Sequence, residues 1–180
     1  MNDYKRERVW PIKIIAFRYL WSFFSLIFFR FTPIFFWSLR NSMLKLFGAK
    51  IGKGVRVSNR AKIFFPWNIR IGNGSSIGDN AIIYPLGSIT IGNYVTISQY
   101  SHICAGSHNI SLKKLPLMKT NIFIDDYAWC CANTFIGPNA NIGKKCIITP
   151  GSVFKGESIE NGIYTGNPAV LSSFRKLNEN

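Results

Sequence analysis

The sequence predicts an all-β fold, a parallel β-helix of triangular section, entered through a pair of apolar α-helices. Three observations carry this. Aliphatic residues recur at six-residue steps. The steps group into coils, with Ile51, Ile71 and Ile91 twenty residues apart and Ile124 and Ile142 eighteen apart. Glycine follows many of the aliphatics, as in Ile51-Gly52, Ile71-Gly72 and Ile91-Gly92. Self-similarity at a fixed period is the mark of stacked repeats, each burying its apolar side against its neighbours.

The 180 residues divide into three parts. Residues 1–47 are basic and apolar, residues 48–170 carry the repeat, and residues 171–180 form a short tail. The run Ile12 to Phe31 is apolar and aromatic and reads as a first helix. Thr32-Pro33 reads as an N-cap and first-turn proline, so a second helix is expected from Pro33 to Phe47, stopping at Gly48. Arg18, Arg30 and Pro33 interrupt the stretch of about twenty apolar residues that a span needs. No small-residue cleavage site marks a signal peptide. The helices are therefore expected to cap the β-helix or a neighbouring subunit, or to lie in a membrane interface. A transmembrane hairpin is the third reading.

In the repeat, Val57, Ile63, Ile77, Ile83, Ile97 and Ile103 fill the steps between the coil starts. A twenty-residue coil exceeds three six-residue steps by two, and Pro66-Trp67 and Leu86-Gly87 mark the corners that take the excess. The beat fails over residues 107–121, which read as a loop thrown out from a corner, a place where function concentrates. It resumes at Ile122 and Ile124 and passes through Cys130, Ile136, Ile142, Ile148 and Phe154. Tyr164 to Ala169 reads as a closing turn.

Hydrophobic residues make up 47% of the chain and the net charge is +14, so a folded protein with an anionic partner or surface is expected. Residues 1–56 hold Lys5, Arg6, Arg8, Lys13, Arg18, Arg30, Arg40, Lys45, Lys50, Lys53 and Arg56 against Asp3 and Glu7. These read as a solvated basic face or as attraction to an anionic leaflet. The bases come without a nucleic-acid-binding motif, so no nucleic-acid partner is expected. Cys104, Cys130, Cys131 and Cys146 form no C-x-x-C pair. Cys130, on the inward beat, reads as a small buried hydrophobe, and a reducing compartment is expected.

His102 and His108 are the two histidines. Three-histidine zinc chemistry lacks its ligands, and no metal site is expected. Phosphate-binding and dinucleotide-binding glycine motifs are also missing. His108 stands in Ala105-Gly106-Ser107-His108-Asn109, at the base of the loop, where small neighbours leave room for a substrate. Histidine is the natural base for proton transfer near neutral pH. His102, one step earlier, reads as a structural residue or as a wall of the same site.

The chain resembles the hexapeptide-repeat acyltransferases, and among them the O-acetyltransferases of colanic acid and related exopolysaccharide or lipopolysaccharide synthesis. Leu46 to Lys53, Tyr84 to Gly92, Ile97-Ser98-Gln99, Cys104 to His108 and Gly166-Asn167-Pro168-Ala169 carry the resemblance. It implies a left-handed β-helix, a homotrimer with sites between subunits, acetyl-coenzyme A as donor and a sugar hydroxyl as acceptor. His108 matches the family's catalytic base. Ser107, Asn109 and His102 would line the acceptor. Ala132, Pro150, Gly151 and Lys155 match the donor channel, with Lys155 facing a coenzyme phosphate. Asp125, Tyr127 and Cys131 depart from the family's Ile-Gly-Asp-Gly-Ala-Trp-Ile-Gly run, each standing where that run has glycine, and Thr149-Pro150 replaces Gly-Ala.

The sequence reading is thus a cytoplasmic O-acetyltransferase acting on a glycan or lipid-linked sugar precursor, peripheral at the inner face of the membrane. The alternatives are an N-acetyltransferase of a nucleotide-linked amino sugar and a non-catalytic membrane-docked scaffold.

Overall fold

Residues 10–176 are described in the structure, a computed structural model. Lys5, Arg6 and Arg8 of the basic cluster, and residues 177–180 of the tail, lie outside the described residues.

Helix α1 runs Ile12–Phe24 and passes without a break into a π-helical turn, Ser25–Phe29. The wider turn brings Phe29 back to the face of Trp21, and their rings meet edge-on at 5.9 Å. Together Ile12–Phe29 make an 18-residue helix of mean hydropathy 1.6, long and apolar enough by length and composition to cross a membrane. Helix α2 spans Trp37–Leu46, not Pro33 to Phe47 as expected. Thr32 is not its N-cap. The Thr32 hydroxyl donates to the Phe29 carbonyl at 2.6 Å and accepts from Arg40, so it is no longer free to cap. Gly48, at φ +89, does end the helical region.

Three parallel faces stack above the helices. The first holds Lys50–Ile51, Ile69–Ile71, Ser88–Ile91, Asn121–Ile124 and Asn141–Ile142. The second holds Arg56–Val57, Ser76–Ile77, Thr96–Ile97, Trp129–Cys130 and Ile147–Ile148. The third holds Lys62–Ile63, Ile82–Tyr84, His102–Cys104, Phe135–Ile136 and Val153–Phe154. Ile51 pairs with Ile71, Ile71 with Ile91, Ile91 with Ile124, and Ile124 with Ile142, the register set by the periodicity. Cys130 is fully buried in this column.

A second inward residue lies two positions before each aliphatic. On the second and third faces it is small: Val55, Ser75, Ala81, Val95, Ser101 and Thr134 are all buried. On the first face Ile69, Ile89 and Ile122 take this place, whereas Ala140 takes it in the eighteen-residue coil. The two extra residues of the longer coils therefore widen one corner and fill it with isoleucine. Pro66–Asn68 forms the 3₁₀ turn at that corner in the first coil. The hydroxyls at these inward positions are bonded, with Ser75 donating to the Gly92 carbonyl at 2.7 Å, Ser101 to the Cys131 carbonyl at 2.8 Å and Thr134 to the Ser101 hydroxyl at 3.2 Å.

N–H groups of the first coil donate to the second coil, as Gly52 does to Ile71 and Ser58 to Ile77. Carbonyls on the other side of the first coil have no coil above them. Side chains of the helices fill that gap. Asn41 donates to the Val55 carbonyl, Arg40 to Val57 and Trp21 to Ile63. The helices thus close a strand edge that would otherwise be open. Arg40 is fully buried and is not part of a solvated basic face. It also donates to the Pro33 and Ile34 carbonyls, at 2.7 and 2.6 Å.

At the other end, Gly162–Gly166 pairs with Ile147–Ile148 and antiparallel with Ala169–Phe174. The expected boundary at residue 170 falls inside this last strand, which continues to Phe174.

Candidate active site

Residues 107–121 were expected to form a loop. Most of them belong to an antiparallel hairpin, Gly106–His108 paired with Leu117–Lys119, that projects from the corner after the third face, whereas Asn121 already begins the first-face strand. Both legs leave the coil at one point. The Ala105 carbonyl accepts from the N–H of Gly87 at 3.0 Å and of Thr120 at 3.2 Å. Glycine is required there: a Cβ on Gly87 would stand 2.0 Å from the Thr120 carbonyl oxygen, and one on Gly106 would stand 2.9 Å from the Leu86 Cβ. The Tyr84-Pro85-Leu86-Gly87 stretch is thus the seat of the hairpin.

His108 pairs with Leu117 near the turn, and its ring is exposed. Nδ1 lies 2.6 Å from the Leu115 carbonyl oxygen. A carbonyl only accepts, so Nδ1 carries the proton and Nε2 keeps its lone pair. Leu115 sits at φ +44, a left-handed conformation that aims its carbonyl back across the turn. The ring is therefore held in one orientation by its Nδ1 contact.

Ser107 is half-buried in the same strand, opposite Met118. The Asn109 side chain accepts the Ser111 N–H at 3.1 Å and shapes the turn. His102 is on the third face, edge-on to Phe135 at 5.2 Å, and burial pulls its pKa below the ordinary imidazole value. It stays neutral at neutral pH. Cys104 adjoins the hairpin, but burial raises its pKa against a smaller opposing effect of backbone hydrogen bonding at Gly106, which argues against a thiolate nucleophile. Among the described residues, no cluster of three or more metal-ligating side chains is present.

No family model matches the chain. The putative colanic acid biosynthesis acetyltransferase WcaF of Escherichia coli (strain K12) is 36% identical over 153 residues, covering 84% of each chain, and the Shigella flexneri protein of that name matches equally. The chain belongs to the hexapeptide-repeat acetyltransferase family. A hexapeptide-repeat-containing acetyltransferase of Vibrio cholerae O1 biovar eltor, solved with acetyl-coenzyme A, superposes with a TM-score of 0.81 at 21% identity, over 91% of this chain and 90% of that one. A maltose O-acetyltransferase of Clostridium difficile 630 superposes at 0.83 with 20% identity, over 93% and 90%. These two share the fold, and with it the left-handed coil of the family.

The residues matched to the family's donor channel fall on both edges of the third face. Ala132, Pro150 and Gly151 occupy the corner that leads into it, where the Gly151 N–H donates to the Ala132 carbonyl at 3.0 Å. A Cβ on Gly151 would meet nothing within 4 Å, so this corner is open to a ligand. Lys155 is exposed at the opposite edge, beside Gly137.

The family departures at Asp125 and Tyr127 lie elsewhere, at the corner between the first and second faces, on either side of Asp126, which matches the family's aspartate. There Asp126 continues a ladder of side-chain acceptors, taking the Asn93 N–H at 2.6 Å as Asn93 takes that of Asn73. Tyr127, at φ +61, stacks on Tyr94 at 5.1 Å. Asp125 accepts the Asp126 N–H at 2.7 Å, so both substitutions, Asp125 and Tyr127, serve the corner. Cys131 adjoins Ala132 in the chain, but it is buried, and burial pushes its thiol up to about 11.

Two concavities stand out in the single chain, one between α1 and the first coil, the other on the first face around Ser88, Asn121 and Asn141. His108 lines neither.

Proposed function

We propose that this chain is an acetyl-coenzyme A-dependent O-acetyltransferase that modifies a sugar hydroxyl of an exopolysaccharide or lipopolysaccharide precursor. The hydrogen bond from His108 Nδ1 to the Leu115 carbonyl carries the reading, because it leaves Nε2 as a base on an exposed projection. Nε2 takes the hydroxyl proton as the sugar oxygen bonds to the thioester carbonyl carbon. The carbon–sulfur bond then breaks, and the imidazolium returns the proton to the departing thiolate. General-base catalysis of this kind contributes roughly 10²–10⁴-fold. Positioning of both substrates supplies the rest.

The exposed ring, outside both concavities, supports a homotrimer in which a neighbouring subunit completes each site. Ser107, Asn109 and His102 are assigned to the acceptor side. Ala132, Pro150 and Gly151 are assigned to the pantetheine arm, and Lys155 to a coenzyme phosphate. The names of the WcaF relatives support a glycan acceptor. The basic, apolar helices support a cytoplasmic enzyme peripheral at the inner face of the membrane, where a lipid-linked acceptor resides.

Thiol release from acetyl-coenzyme A tests the reading, with lipid-linked glycans, free hydroxyl sugars and nucleotide-linked amino sugars as acceptors. Release with a hydroxyl acceptor, abolished in His108→Ala, is the expected result. Release with the amino sugar alone would make the protein an N-acetyltransferase, and no release with any acceptor would make it a scaffold.

A further inference from the structure

The helical region carries an exposed apolar surface. Phe23 of α1, Phe31, Ile34 and Phe35 of the link between the helices, and Leu46 of α2 are each more than 60% exposed. A continuous patch of this kind marks a binding surface. The charge beside it discriminates between occupants. No aspartate or glutamate occurs between Glu7 and Asp79, a stretch that holds Lys13, Arg18, Arg30, Lys45 and Lys62 among its bases. A second copy of the chain would set these like charges against one another. An anionic bilayer offers hydrocarbon to the apolar side chains and phosphate to the bases.

The groove between the π-helical turn and the first coil adds a second observation. Its volume is about 270 Å³, and Trp21, Phe29, Ile63 and Phe64 line it. Arg30 and Lys62 also line it. Among the described residues the one ion pair is Arg60 with Asp79, so neither groove cation is neutralised by a carboxylate. Apolar walls with unpaired cations suit the junction of an acyl chain and a phosphate.

We propose that the exposed faces of α1 and α2 seat in an anionic phospholipid bilayer, with Arg30 and Lys62 holding lipid phosphates at the mouth of this groove. The proposal rests on the peripheral membrane location given above and names the surface that achieves it. The orientation follows. The helix-capped end of the prism faces the lipid, and the hairpin bearing His108 projects two coils above it.

Flotation of the full-length protein with vesicles tests this, using phosphatidylcholine alone or mixed with phosphatidylglycerol. The expected result is binding to the mixed vesicles and little to the neutral ones. Arg30→Gln with Lys62→Gln should lower partitioning onto the mixed vesicles by roughly 30-fold, at about fivefold per base. Phe31→Asp, at an exposed position, should abolish it while thiol release with a water-soluble acceptor is retained. Equal binding to both vesicles would remove the phosphate role and overturn the proposal. Self-association that Phe31→Asp abolishes, without vesicle binding, would assign the face to a second copy and also overturn it. Vesicle binding without acetyl transfer would leave this inference standing and sink the proposed reaction. Acetyl transfer without vesicle binding would do the reverse.

Discussion

His108 Nδ1 and the carbonyl oxygen of Leu115 lie 2.6 Å apart across the turn of the projecting hairpin. The contact fixes the tautomer of the neutral ring, so the proposed base depends on the backbone of one residue as much as on the imidazole of the other. His108→Ala should lower kcat by roughly 10²–10⁴-fold. Because the ring is exposed, the melting temperature should barely move. Steady-state kinetics beside a thermal melt checks both.

Gly106 sets the hairpin on Leu86. A methyl group at Gly106 would meet the Leu86 side chain at 2.7 Å, and the hairpin would have to shift. Gly106→Ala should reduce kcat by about 10²-fold, the order expected of an ångström-scale misplacement. Acetyl-coenzyme A binding should change little, since the assigned donor residues lie on other coils. Kinetics at saturating and limiting donor separates these effects.

Lys155 is assigned to a coenzyme phosphate from an exposed edge, where an ion pair is worth at most about 1 kcal/mol. Lys155→Ala should raise the donor KM by roughly fivefold and leave kcat unchanged. An unaltered donor KM would remove the assignment.

Arg40 is a charge inside the protein, bonded to Val57, Thr32, Pro33 and Ile34. Arg40→Met would leave the buried Val57 carbonyl and the part-buried Pro33 and Ile34 carbonyls without this donor and should destabilise the fold by about 3 kcal/mol. Urea denaturation should show a lower midpoint at an unchanged slope.

His102 gives a pH dependence of stability. Burial lowers its folded-state pKa, so the unfolded chain binds the proton more readily. The stability it supports is present above about pH 6.5 and is lost as pH falls through the lowered folded value. Replacement by Phe should flatten this acid branch in melts taken from neutral to mildly acidic pH.

The column of Ile51, Ile71, Ile91, Ile124 and Ile142 was legible because a six-residue beat is a property of the sequence itself. The second inward position was overlooked, though the small residues Ser75, Ala81, Ser101 and Thr134 recur on the same beat. Arg40 was read with the surface bases because a charge pattern does not say which cation meets three carbonyls. The α2 start was misread because Thr32-Pro33 matches a cap signature, whereas the Thr32 hydroxyl is committed to Phe29 and Arg40. At the site, His108 was visible from its place at the broken beat and from family likeness. Its partner was not, because a backbone carbonyl leaves no side-chain signature and depends on the φ of Leu115.

Acetyl transfer from acetyl-coenzyme A to a lipid-linked hydroxyl sugar, wild type beside His108→Ala, tests the central claim most directly. The account predicts an O-acetyl ester and free thiol in equal amounts from the wild type, with the variant reduced at least about 10²-fold at the same melting temperature. A correctly folded variant that retained the wild-type rate would contradict it.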